Sequence, residues 1–223
     1  MTSSHPPARF TLLKRRPDLA REQYNEHWHG IHGSLLASLP DFRRAHHTYI
    51  QNHLCDAPAS LAHKVAPNPT WDGFAQTFQN LHEGGAVVDF FDQPDFTNHV
   101  RPDEETFLDW AASTTTTPRS AWSRTVLGRA SSRGFWGRVT RYTQYHAKPE
   151  LFRGSSEMNK EDAFAGVAEI YFKSMEDLEA ALADAEYVNV LGADGKNFVG
   201  AGSLVFFTED WPMLVNGELP SKE

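Results

Sequence analysis

The sequence predicts an α+β fold in which one strand-and-helix unit is written twice, the second time incompletely. The first observation is a duplication: YIQNH, Tyr49 to His53, returns as YTQYH, Tyr142 to His146, 93 residues later. Gly73, Ala75 and Phe78 return as Gly166, Ala168 and Tyr171 at that same offset. An offset held through strand, loop and strand is the mark of an internal repeat. The second observation is periodicity, because short alternating segments and longer segments with helical spacing follow one another in both halves.

Residues 9–14 read as a first strand. From Ala20 to Leu39 the apolar residues Tyr24, Trp28, Ile31 and Leu35 fall four, three and four apart, one stripe of a helix that Pro40 ends. Ala20 stands where a Ser or Thr cap would serve better, a loss of about 1 kcal/mol at the helix start. Residues 42–54 read as a strand with His47, Tyr49, Gln51 and His53 on one face and Thr48, Ile50, Asn52 and Leu54 on the other. WDGFAQTFQ supplies a third strand, and a helix starting near Gly85 carries Val88, Phe91, Phe107 and Leu108. A fourth strand is expected at about 120–127 and a turn or linker at 128–136. The second half repeats strand, strand and helix, and GSLVFFTED closes it. There is no room before Tyr142 for a second copy of the first strand and long helix. The order is therefore β-α-β-β-α-β followed by β-β-α-β, with units at 1–128 and 137–215 and a flexible tail at 216–223.

Composition narrows the function. Hydrophobic residues make up 40% of the chain and aromatics 12%, with fifteen Phe, six Trp and six Tyr, enough for a core and suited to apolar or aromatic small molecules. A net charge of −8 without a basic stripe disfavours nucleic acid and anionic membranes as partners. The single Cys55 excludes an internal disulfide and a Cys-based zinc cluster. No apolar leader and no run of 18 apolar residues is present, so the cytoplasm is the expected compartment. Phosphate-binding glycine loops and a Gly-x-Ser-x-Gly elbow are also missing.

The chemistry-bearing residues cluster on the repeat. A strand face bearing Tyr49, Gln51 and His53 would be costly against a dry helix, since each unpaired buried polar group costs about 1–3 kcal/mol. Both this row and Tyr142, Gln144 and His146 are therefore expected to point into one shared cavity, with Ile50 and Leu54 toward the helices. His32 lies one turn beyond Trp28 on the edge of the buried stripe. Desolvation beside an indole disfavours its charged form and leaves a neutral base. Glu169, between Val167 and Tyr171, would have a raised pKa inside a cavity and could serve as proton donor. His27, His29 and His32 lack metal-binding order, and chance clustering explains them better.

RRPDLAREQYNEHWHGIHGSLLASLP, YIQNHL, WDGFAQTF and PDEETFLD together resemble the EthD-domain family of the dimeric α+β (ferredoxin-like) barrel superfamily. The family's Trp, His-Gly, Gln-Asn-His and Asp-Gly-x-Ala positions are here Trp28, His32-Gly33, Gln51-Asn52-His53 and Asp72-Gly73-Phe74-Ala75. Ser34 replaces the usual proline, and Gln76 stands where a Glu is common, which would move any acid–base role of that residue to Glu169. The resemblance implies two sheets paired into a barrel, here within one chain, with an apolar cavity between sheet and helix. It implies a cofactor-independent lyase or isomerase acting on an aromatic or polyketide-like compound by decarboxylation, dehydration or retro-aldol-type cleavage. His32 or His53 would be the base, Tyr49 or Tyr142 the oxyanion donor, with His146 and Glu169 as further catalytic candidates. Trp28, Gln51, Phe74, Gln144 and Tyr171 would complete the binding surface, Trp28 and Phe74 walling the ring. A haem-dependent or cofactor-free oxidative enzyme and a non-catalytic binder of apolar ligands are the alternatives, with haem held by one histidine. Further pairing of the chain as a homodimer stays open.

Overall fold

A computed structural model describes residues 8–61, 71–83, 87–116, 126–127, 134–146, 166–197, 199–200 and 203–220. Two antiparallel sheets organise the chain. The larger has the order β4-β1-β3-β2-β8, formed by β4 (Thr114–Thr116), β1 (Ala8–Leu13), β3 (Gly73–Gln79), β2 (His46–Leu54) and β8 (Thr208–Leu214). The smaller runs β5-β6-β7, formed by β5 (Val126–Leu127), β6 (Val139–His146) and β7 (Gly166–Phe172). The first four strands have the ferredoxin-like order, and β2 and β3 recur as β6 and β7 at the offset read from the sequence.

The two halves exchange their last strands. β8, from the second half, pairs with β2 of the first along Tyr49–Leu54. β5, which follows the first half, pairs with β6 of the second. With no second β1 to receive it, β8 takes the free edge of β2, and its backbone groups are satisfied there. The closing strand begins six residues later than the sequence reading, at Thr208, and the fourth strand is split between β4 and β5. Residues 117–125 of the expected strand at 120–127, and 128–133 of the expected linker, lie outside the described residues.

Helix α1 (21–38) packs across one face of the larger sheet. Its middle turn, His27–His32, is a π-helix. The wider turn keeps residues four apart on one face, so Tyr24, Trp28, His32 and Leu36 face inward. Ile31, placed in the buried stripe by the sequence reading, is 57% exposed. Gln23 repairs the poor cap by accepting from the Ala20 N–H at 2.9 Å. Pro40 ends α1 but also opens α2 (Pro40–Ala45), where a proline at the first position is preorganised. The strand expected from residue 42 therefore starts at His46. Helix α3 (96–107) completes the layer, again with a π-helical start at Phe96–Val100.

Both faces of the larger sheet are covered, which explains the nearly continuous burial of β1. Arg9, Thr11 and Leu13 face the helices, while Ala8, Phe10 and Leu12 join Phe74 and Tyr145 in a core between the sheets. Three short helices, α4 (Phe135–Arg138), α5 (Met175–Leu182) and α6 (187–195), cover the outer face of the smaller sheet. Phe135, Val139 and Ala181 form the core there. Residues 216–220, read as tail, instead turn back on β2, with the Gly217 N–H donating to His47 O at 2.7 Å.

Candidate functional site

A cavity of about 80 Å³ lies between the larger sheet and its helices. Trp28, His32 and Leu36 of α1, Tyr49 of β2, and Glu104 of α3 line it, with Phe42, Phe90, Phe91, Phe96 and Trp110 as aromatic wall. Its position follows from the helix spacing, because the π-turn brings Trp28 and His32 to the same inward face.

His32 is 4% exposed, and its Nδ1 lies 2.7 Å from Asp103 Oδ2. The other oxygen of Asp103 lies 2.8 Å from His27 Nε2. A carboxylate only accepts, so His32 carries its hydrogen on Nδ1 and presents Nε2 as a bare lone pair. Burial pushes the His32 pKa down, partly offset by Asp103, so the imidazole is neutral. Although burial acts to raise it, the Asp103 pKa is lowered overall by its bonds from His32 and His27.

Tyr49 is 1% exposed, and two donors reach its hydroxyl oxygen, Trp28 Nε1 at 3.2 Å and Gln51 Nε2 at 3.1 Å. Those N–H groups occupy both lone pairs, leaving the O–H free to donate toward the cavity. Gln51 is fixed by a 2.7 Å bond to the Trp28 carbonyl oxygen. Glu104 has a buried Oε2 with no hydrogen-bond partner among the described residues. Burial pushes its pKa up to about 8, so it is predominantly protonated at neutral pH. A neutral base, a protonated acid and an oriented hydroxyl donor thus share one apolar chamber.

The expectation of two rows converging on one hollow is wrong. Tyr49, Gln51 and His53 face α1, where the Trp28 indole N–H and carbonyl meet the polar atoms of Tyr49 and Gln51, while Asn52 takes the opposite face and bonds Phe74 O. Tyr142 and Gln144 bond each other under α4 and α5, beside Trp136, and His146 is exposed. The second row thus rests on a separate helical layer. His53 stacks on Trp28 with ring centroids 4.3 Å apart, held by Gln51 Oε1 at 3.0 Å, and does not line the cavity. Burial drives its pKa down to about 4. Phe74 lies across the sheet from Trp28 and packs on Phe10 and Phe206, so the two do not wall one ring.

Glu169 does sit in a closed space, but between the sheets. Burial first raises its pKa, to about 7, and it bonds Tyr145, whose hydroxyl accepts from Gln76 Nε2 at 3.0 Å. Tyr171 lies under the Arg141 guanidinium at 3.7 Å and bonds Asp210. Asp103, Glu104, His46 and Arg9 are the site residues that sequence reasoning missed. The spacing of His32 from an acidic pair 71 and 72 residues away carries no local signal, and only tertiary packing joins them. Among the described residues, no three His, Cys, Asp or Glu side chains could hold a metal ion together. No described helix is long and apolar enough to cross a membrane.

The ferredoxin-like strand order and the second sheet facing it define an α+β barrel protein, with a cavity beneath the helices of its larger sheet. The sequence profile of the EthD domain matches residues 16–111 and again 125–202, and the chain belongs to that family. The double match bears out the resemblance and the tandem arrangement. No curated protein and no solved structure matches the chain.

Proposed function

We propose that the protein is a cofactor-independent lyase or isomerase that uses general acid–base chemistry on a small aromatic compound. One observation carries this: His32, Tyr49 and Glu104 line the same chamber in three complementary states. His32 Nε2 takes a proton from the substrate, and the released electron pair moves onto an oxygen held by the Tyr49 O–H. Glu104 then gives its proton to the carbanion centre or to the leaving group. Return of the proton from His32 to Glu104 through solvent restores the starting state. Asp103 holds the imidazole in the required tautomer and stabilises it once charged. General acid–base transfer contributes typically 10²–10⁴-fold, and a preorganised oxyanion donor roughly 10²–10³-fold.

The cavity, about 80 Å³, favours a single ring over a fused polyketide. It also falls well below the roughly 300–1,000 Å³ of sites for drug-sized ligands, which supports a small substrate. The test is a panel of aryl ketones, followed for deuterium uptake beside the carbonyl, and of aryl β-hydroxy ketones, followed for elimination of water, without added cofactor. Turnover should fall about 10²–10⁴-fold in His32→Gln with binding retained. Undiminished turnover in that variant, or dependence on added haem, would refute the proposal.

A further inference from the structure

His46 opens β2 and is 2% exposed. Its Nδ1 lies 3.3 Å from the carbonyl oxygen of Phe42, which can only accept, so the ring hydrogen is on Nδ1. Nε2 is left as an acceptor, buried and without a hydrogen-bond partner among the described residues. The imidazole is wedged by Phe42 and Phe90, with ring centroids at 4.6 and 5.9 Å. Arg9, Asp89 and His47 are the charged or titratable groups that bear on it, and Arg9 is itself paired with Asp89 at 3.4 Å. Burial and then the Arg9 charge drive the imidazole pKa down to about 3, so Nε2 stays an acceptor throughout the physiological range.

The same side chain lines the cavity, among Phe42, Phe90, Phe91 and Phe96. An unpaired buried acceptor is costly, and a ligand that brings a donor removes that cost. We infer that His46 is a specificity residue, whose Nε2 accepts a hydrogen bond from a hydroxyl on the substrate's ring. The ligand class is then a hydroxylated single-ring aromatic. The inference deepens the acid–base reading and rests on it for the chemical step, but not for binding.

Phenol and fluorobenzene, alike in size and different in carrying a donor, are the probes. Calorimetry compares the ratio of their affinities in the wild-type protein, His46→Leu and His32→Gln. The ratio in favour of phenol should fall roughly tenfold to hundredfold in His46→Leu and hold in His32→Gln. In the wild-type protein the nitrogen-15 signal of His46 Nε2 should move upfield with phenol and stay put with fluorobenzene. That readout stands even if His46→Leu fails to fold. An unchanged ratio in a folded His46→Leu, or an Nε2 signal indifferent to phenol, overturns the inference. Loss of turnover in His32→Gln is a separate result, so a phenol preference set by His46 survives even where the acid–base reading fails.

Discussion

Asp103 binds two histidines with its two oxygens, and replacing it by asparagine separates charge from shape. The neutral amide no longer supports the His32 imidazolium, so the His32 pKa, already lowered, falls further. The acid limb of kcat/KM should move to lower pH and kcat should drop about 10²-fold or more, because the base loses its orientation. Proton NMR of the imidazole checks the first effect and steady-state kinetics the second. Glu104 defines the opposite limb. Its proton leaves at about pH 8, so activity should fall as pH rises through that value, and Glu104→Gln should be inactive at any pH. A pH profile flat to well above 8 would remove Glu104 from the mechanism.

At the scale of elements, the inward face of α1 depends on close approach to β3. A Cβ at Gly73 would lie 2.6 Å from Trp28 Cζ3 and 2.9 Å from the Asn52 carbonyl oxygen. Gly73→Ala should therefore destabilise the protein by about 1–3 kcal/mol and disturb Trp28 fluorescence. Gly30, with nothing within 4 Å, is the contrast: Gly30→Ala should stabilise by about 0.5–1 kcal/mol, read as a rise in Tm. The elements themselves were largely visible in the sequence, since β2, β3, β6 and β7 follow alternation and α1 follows its apolar stripe. The π-turn was not, because it arises from packing and not from residue type, and it moved His32 inward and Ile31 outward. The polar face of β2 was assigned to the wrong side for a related reason. A strand row of Tyr, Gln and His looks unfit for a helix interface until that helix offers an indole N–H and a carbonyl with a second lone pair, as α1 does at Trp28.

At the scale of the whole molecule, the exchanged strands and a buried polar network join the two halves. Glu169 has a folded pKa of about 7, raised above its ordinary 4.5. The native state therefore binds the proton more tightly than the unfolded chain, and stability is lost as pH rises from the unfolded value through 7. Glu169→Gln should remove roughly 3 kcal/mol of that pH dependence, measured by urea unfolding at about pH 5 and 8. A slope unchanged in the variant would place the titrating group elsewhere. Gln76 and Tyr145, which tie Glu169 to the first sheet, show why the duplication was legible while the relation of its two rows was not. The repeat offset fixes which strands correspond, but the side of each sheet that meets the other depends on Phe10, Phe74 and Tyr145 packing together. Each copy of the Tyr-Gln-His row consequently lies beneath its own helices. The first half, with a full α1 and α3, builds its chamber there.

A crystal structure with a bound hydroxylated single-ring aromatic tests the central claim most directly. The ring should lie between the larger sheet and α1, within hydrogen-bonding distance of the Tyr49 hydroxyl and of His32 Nε2. A ring lodged between the two sheets beside Glu169, or beneath α4 and α5 near Tyr142, would contradict the account.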